Sequence, residues 1–162
     1  MATVTDFPKW MVDDLAKSGI NPHMATERGF KHVNATEIKK FTGVTVKSSI
    51  TGYTIPYIDP VTGQVKKGAN GKDFIRIKLS EESKGCKYLS PIKAGNRCFI
   101  PKEVHDNYTA DLKKLVLLTE GEKKILAALS YGIYVIGISG IWNWMQSNSD
   151  RDWETAISGL NR

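Results

Sequence analysis

Glu120 and Glu122 stand where an apolar run gives way to a helix, in Leu115-Val116-Leu117-Leu118-Thr119-Glu120-Gly121-Glu122-Lys123-Lys124. The four apolar residues predict a short buried strand that delivers Glu120 to a tight turn. Carboxylates at the carboxyl end of a parallel strand occupy the position where open α/β sheets bind ligands and metals. Glu120 is therefore a candidate metal ligand or general acid–base. Glu122 falls in the first turn of the following helix. There it is either a second metal ligand or a negative charge that stabilises the positive end of the helix dipole.

The elements that position these acids are legible nearby. Ile125, Leu126, Ala128 and Leu129 fit one helical face, and Gly132 ends that helix. Ile133-Tyr134-Val135-Ile136 predicts a second buried strand. The result is a strand–Glu–helix–strand unit whose crossover should be right-handed. Gly137 and Ile138-Ser139-Gly140 follow, with Trp142 and Trp144 expected as core or lid. A terminal helix capped by Ser149 or Asp150 would carry Trp153, Ile157 and Leu160. Gly137-Ile138-Ser139-Gly140 lacks the glycine fingerprint of a dinucleotide binder.

A second chemistry lies upstream. Residues 66–97 hold nine basic residues against three acids, an excess equal to the whole chain's net charge of +6. Such clustering predicts a polyanion partner, or else a solvated lysine-rich β face. Asp73-Phe74-Ile75-Arg76-Ile77-Lys78-Leu79 alternates, placing Ile75, Ile77 and Leu79 on one face and Arg76 and Lys78 on the other. The expectation is a twisted antiparallel sheet with a basic outer face. Candidate nucleic-acid contacts are Arg76, Lys78, Lys87, Tyr88 and Arg97, with Lys123 beside the glutamates. Tyr88, set among lysines, either stacks a base or sits half-buried in its strand.

The remaining composition narrows the class. At 162 residues and 41% apolar content the chain suits one globular domain, or two small subdomains sharing a core. No stretch approaches the roughly 20 apolar residues that cross a bilayer. The amino terminus lacks a signal peptide's pattern, so a cytoplasmic location is expected. Cys86 and Cys98 read as reduced thiols, and the three histidines are scattered. Residues 1–45 predict short helices. The first opens at Pro8 with Trp10, Met11, Val12 and Leu15 inward, the second at Asn21-Pro22, and the third at the capping box Asn34-Ala35-Thr36-Glu37. Asp59-Pro60-Val61-Thr62-Gly63 is a turn sequence.

In this order the pieces resemble the catalytic core of DnaG-type primases. They are more similar still to TOPRIM-containing primase-like proteins of phages and plasmids, many of them grouped as a domain of unknown function. The resemblance rests on Ser18-Gly19-Ile20 and Glu27-Arg28-Gly29-Phe30, and on Ile55-Pro56-Tyr57, Arg76-Ile77-Lys78 and Lys87-Tyr88-Leu89-Ser90-Pro91. Its most specific pieces are Thr119-Glu120-Gly121-Glu122-Lys123 and Gly137-Ile138-Ser139-Gly140-Ile141-Trp142-Asn143-Trp144. It implies that Glu120 is the first carboxylate of a TOPRIM magnesium site and that the basic subdomain guides single-stranded DNA or an RNA/DNA template. Magnesium takes oxygen ligands and promotes phosphoryl transfer. A complete TOPRIM domain has a later strand ending in Asp-x-Asp. Here Asp150-Arg151-Asp152 follows a polar loop instead, and reads as a helix cap. Magnesium would accordingly be held weakly by this chain alone.

The expected fold class is α+β. It comprises a helical lead-in over residues 1–45, a basic β-rich subdomain over 46–110 and an incomplete TOPRIM-like βαβ unit over 111–162. The expected function is part of a primase-like replication protein. The alternatives are a non-catalytic nucleic-acid-binding module, or an interaction module that engages other replication proteins or the missing half of the TOPRIM domain.

Overall fold

The computed structural model describes residues 7–140. Trp142, Trp144, the Asp150-Arg151-Asp152 triplet and the expected terminal helix lie outside the described residues.

Three short helices lead in. Helix α1 (Lys9–Ala16) begins after Pro8 and buries Met11 and Leu15. Helix α2 (Pro22–Glu27) has Asn21 as its N-cap, with the Asn21 carboxamide accepting from the Met24 N–H at 2.8 Å. Strand β1 (His32–Val33) follows, then helix α3 (Ala35–Thr42). The α3 capping box is complete. The Asn34 side chain accepts from Thr36 and Glu37, and the Glu37 carboxylate accepts from the Asn34 N–H at 2.9 Å. Gly43 closes the helix in the left-handed conformation at φ 79°. Asn34→Ala is expected to lower stability by about 1 kcal/mol, read as a shift in the urea midpoint at unchanged slope.

The next elements are strands β2 (Gly52–Pro56), β3 (Ile75–Ser83) and β4 (Cys86–Leu89), joined with β1 in an antiparallel sheet of order β1-β2-β3-β4. The turn before Val61 forms as its sequence predicts, with the Asp59 carboxylate accepting from Val61 and Thr62. Register sets Tyr53 opposite Lys78, Ile55 opposite Arg76 and Lys78 opposite Tyr88. These residues therefore share one face, and Ile77, Leu79 and Leu89 share the other.

The alternation in β3 is as the sequence predicts, but the basic face is not an outer face. Ile77, Leu79 and Leu89 pack with Ile38 of α3 in one buried cluster. Tyr53, Ile55 and Tyr57 pack with Met11, Leu15, Phe30, Phe74, Ile125 and Leu126 in another. Both faces of the sheet are covered, and Arg76 keeps only 7% of its surface exposed. The second cluster draws residues from the lead-in, the sheet and the downstream unit, so the three stretches share a core.

Helix α4 (Lys102–Ala110) was not anticipated within the β-rich stretch. Pro101 serves as its N-cap residue and Val104 is fully buried beneath it. A two-pronged pair joins it to the lead-in, Arg28 donating to Glu103 at 3.0 and 2.6 Å.

The downstream unit consists of strand β5 (Leu117–Glu120), helix α5 (Glu122–Ser130) and strand β6 (Val135–Ile138). β5 and β6 are parallel, with Leu117 opposite Val135 and Glu120 opposite Ile138. The βαβ unit thus forms, with β6 starting two residues later than its sequence predicts. The expectation of a buried β5 is overturned. Leu115, Val116, Leu117 and Leu118 are 81%, 52%, 42% and 58% exposed. Helix α5 covers one face of a two-stranded pair, and that leaves most of β5 uncovered. The far edge of β6 is bridged by Phe99, which exchanges two backbone hydrogen bonds with Gly137 at 2.8 and 3.0 Å. The whole is α+β. No helix among the described residues is long and apolar enough to cross a membrane.

Candidate nucleic-acid interface and the Glu120 turn

The parallel pair ends at Glu120, whose side chain is exposed. The chain turns at Gly121, at φ 90°, and the Gly121 N–H donates to the Ile138 carbonyl at 2.9 Å. A positive φ of this size favours glycine over any side-chain-bearing residue. Helix α5 starts at once, so Glu120 stands at the carboxyl end of a parallel strand, as the sequence predicts.

The next two residues anchor that turn. Glu122 is 2% exposed and accepts from the Arg76 guanidinium and from the Tyr57 hydroxyl, both at 2.5 Å. Arg76 donates its Nε–H to Ser90 as well, at 3.1 Å. Burial, the largest single influence, would lower the Arg76 pKa, but the charges of and hydrogen bonds to Glu122 and Tyr57 together make the net shift upward. Burial, and then the Glu122 charge, push the Tyr57 phenol well above its ordinary value. Lys123 points elsewhere, since consecutive helical residues diverge by about 100°. Its ammonium donates to the Asp14 carboxylate at 3.0 Å and to the Asp14 carbonyl at 3.2 Å. Tyr53 donates its hydroxyl to the same carboxylate at 2.8 Å.

These contacts bear on four of the candidate residues. Arg76 is not a solvent-facing nucleic-acid contact, because its guanidinium neutralises Glu122 in the core. Glu122 is not available as a metal ligand, because one oxygen already serves two donors and the carboxylate is sealed from solvent. Lys123 is half-buried and engaged with Asp14 rather than free for phosphate. Tyr88 takes the half-buried reading. Arg76 and Lys78 lie over its ring at 5.3 and 5.5 Å from the centroid. Burial, with Glu122 next, has pushed its phenol up to about 12.

The remaining cations divide. Arg97 donates to the carbonyls of Lys67 and Asn96, and Lys67 pairs with Asp73 at 2.6 Å. Lys66 is half-buried, and burial lowers its pKa. Lys78 is half-buried too. Burial comes first among the causes that lower its pKa, and the neighbouring charges of Lys123, Lys87 and Lys17 add to it against Asp14. Lys87 is exposed. Asp14, Lys78, Ser80, Glu81, Glu82, Lys87 and Tyr88 line a shallow cleft of 340 Å³. Two lysines and three carboxylates thus line it, and Lys17 lies near enough for its charge to act on Lys78. Sequence reasoning missed Lys17 and Asp14, since each lies in the lead-in and only the fold brings α1 to the basic sheet.

Magnesium fits the described residues poorly. Glu120 offers one carboxylate and Glu122 is committed to Arg76. Among the described residues no group of three or more His, Cys, Asp and Glu side chains is gathered as a metal site. Cys86 and Cys98 are free thiols, and burial raises the Cys98 pKa.

The Asp14–Lys123–Tyr53 group sets a pH dependence. Burial, the largest single influence, raises the Asp14 pKa, but the hydrogen bonds from Lys123 and Tyr53 together with the Lys123 and Lys78 charges make the net shift downward. A carboxylate with a folded pKa below its unfolded value, about 3.9, stabilises the fold above that pH. The contribution is lost as pH falls through the folded value. Asp14→Asn is expected to lower stability by about 1.5 kcal/mol at pH 7, with the deficit shrinking below about pH 4. Urea unfolding of both proteins at pH 7 and pH 3 checks this.

The described fold is α+β, with a four-stranded antiparallel sheet, a parallel βαβ unit and an exposed acid at the carboxyl end of β5. Residues 107–161, about a third of the chain, match the model of a family described as Domain of unknown function (DUF3854). The match takes in the end of α4, all of β5, α5 and β6, and the segment beyond Gly140. No curated protein and no solved structure matches the chain.

Proposed function

We propose that this chain is part of a primase-like replication protein that binds single-stranded nucleic acid, with Glu120 supplying one carboxylate of a phosphate-handling site. The observation that carries this reading is the exposed Glu120 at the end of β5, just ahead of a helix whose first turn is tied through Glu122 to Arg76 of the sheet and through Lys123 to Asp14 of α1. Lys78, Lys87 and Lys17 would neutralise phosphates, and the cleft beside Tyr88 would seat the backbone. Further carboxylates, from elsewhere in the chain or from another polypeptide, would have to complete any magnesium site. The burial of Glu122 favours the second reading, a non-catalytic nucleic-acid-binding module of the same ancestry.

A primer-synthesis assay with magnesium separates the two. Under the first reading Glu120→Ala abolishes product, and under the second there is none to lose. Both readings predict that Lys87→Ala weakens binding of a labelled single-stranded oligonucleotide by about two- to fivefold at low salt, by removing one phosphate contact. Glu120→Ala leaves that binding unchanged or tighter. Equal binding by the Lys87→Ala variant and the parent chain would remove the cleft from the interface.

A further inference from the structure

Strand β5 is an edge strand without the usual guards. Among the described residues the parallel sheet has the order β5-β6, and no strand lies beyond β5. The Gly121 N–H reaches the Ile138 carbonyl. The Leu117 N–H reaches the Tyr108 hydroxyl, which donates to the Tyr134 carbonyl. The odd-numbered residues of β5 thus turn their peptide groups toward β6, and Val116, Leu118 and Glu120 turn theirs outward. An open edge normally carries a proline, a bulge or an inward-pointing charge that blocks pairing. Leu115-Val116-Leu117-Leu118 has none of these, and all four side chains are exposed. Such an edge is a template for an incoming strand.

The sequence along the edge selects that strand. Lys113 and Lys114 precede the apolar run and Glu120 follows it, all three exposed. The run is therefore positive at one end and negative at the other. A parallel copy would set like charges side by side, whereas an antiparallel copy sets each lysine end against a glutamate. The ladder narrows the register further, because only outward-turned residues can exchange hydrogen bonds. Two-fold axes at Val116, Leu117 or Leu118 satisfy that condition, and the axis at Leu117 is the one that brings Lys114 to Glu120. It also sets Val116 opposite Leu118, so apolar side chains meet across the join. The Lys114 ammonium donates to the neutral Asn107 side chain at 3.2 Å, and it keeps N–H donors for an acid.

We infer that β5 joins the β5 of a second copy in antiparallel pairing about a two-fold axis at Leu117, making one four-stranded sheet from two βαβ units. Two-fold dimers are the commonest homo-oligomers, and their interfaces are self-complementary in this way. At each end of the join the partner's Lys114 lies against Glu120. The dimer requires no nucleic acid, and so stands or falls apart from the proposed function.

Sedimentation equilibrium of the full chain tests it, over about a hundredfold range of concentration to suit an interface of modest size. The expected result is a monomer–dimer equilibrium. Leu118→Lys should weaken the dimer by about tenfold or more, as edge lysines block strand pairing, with an unchanged circular-dichroism spectrum. Glu120→Lys should weaken it as well, and adding Lys113→Glu and Lys114→Glu should restore it. Failure of that charge exchange to restore association would overturn the pairing. Cross-linking locates the axis. In chains carrying Cys86→Ser and Cys98→Ala, Leu117→Cys should give a disulfide-linked dimer, because residues on the axis face each other at about 4.5 Å. Glu120→Cys should not, because its two copies lie about 20 Å apart. Equal cross-linking at both positions would mean parallel or random association and overturn the inference. A monomer at every concentration would overturn it too, whether the edge is then bare or filled from elsewhere in the chain.

Discussion

Replacing Arg76 with methionine is expected to destabilise the protein by about 3–5 kcal/mol, the usual cost of leaving one member of a buried ion pair without its partner. Glu122 is 2% exposed and, among the described residues, would keep the Tyr57 hydroxyl as its side-chain donor. The loss should appear as a lower urea midpoint at unchanged slope. Glu122→Leu combined with Arg76→Met removes both charges, and the double variant should be markedly more stable than Arg76→Met alone, because no uncompensated charge remains. A cost below about 1 kcal/mol for Arg76→Met, the range of exposed pairs, would mean that the pair is solvent-accessible and that α5 is not fixed to the sheet through it. The consequence for function is practical. Loss of nucleic-acid binding in an Arg76 variant would report a loosened fold, whereas Lys87, exposed at the cleft, gives an interpretable answer.

Gly137→Val should be the second large effect, at about 3 kcal/mol or more, from overpacking at a site with no room. A Cβ at Gly137 would overlap the Ile125 side chain and lie 3.7 Å from the Phe99 carbonyl. The Phe99 backbone is itself bonded to Gly137, so the strand cannot move away without losing that bridge. The flexible end of Ile125 is the part able to yield. Ile125→Ala alone should cost about 2–5 kcal/mol by opening a cavity, but in the Gly137→Val background it should cost far less or stabilise, because the same space is now filled. Additive losses in thermal or urea unfolding would contradict this close approach of α5 to β6.

Much of this architecture was legible because its signals are local. Asn34 with Glu37, Asn21 with Pro22, and Asp59 with Gly63 satisfy backbone donors or turn geometry within a few residues. The strand–Glu–helix–strand order was legible for the same reason, since an apolar run, a glycine and a helical stripe each act over one or two turns. What could not be read was the pairing of distant residues. The alternation of Ile75, Ile77 and Leu79 with Arg76 and Lys78 is real, but alternation does not reveal that both faces are covered. Only the meeting of Arg76 with Glu122, 46 residues away, makes a buried guanidinium tolerable. The same limit applies to Asp14 and Lys123, 109 residues apart. Leu115 to Leu118 erred in the opposite sense. Four apolar residues look like a buried strand, yet burial depends on how many layers surround it.

The candidate site divides along the same line. Glu120 lies where a local pattern could place it. Glu122 resembled a second ligand because proximity in sequence suggests proximity of role, but the helix turns it away from the strand's exit and into the core. The basic cluster was visible as a charge excess. Its division into buried, paired and exposed members required the fold.

The most direct test of the account is the affinity of the intact chain for a fluorescein-labelled single-stranded oligonucleotide, followed by anisotropy from 50 to 200 mM salt. If Lys78, Lys87 and their neighbours engage two to four phosphates as proposed, log K falls linearly with log salt at a slope of about −0.7 for each phosphate neutralised, shallower by about one phosphate in Lys87→Ala. Binding indifferent to salt, or none at 50 mM, would contradict the assignment of this sheet and its neighbouring carboxylate to nucleic acid.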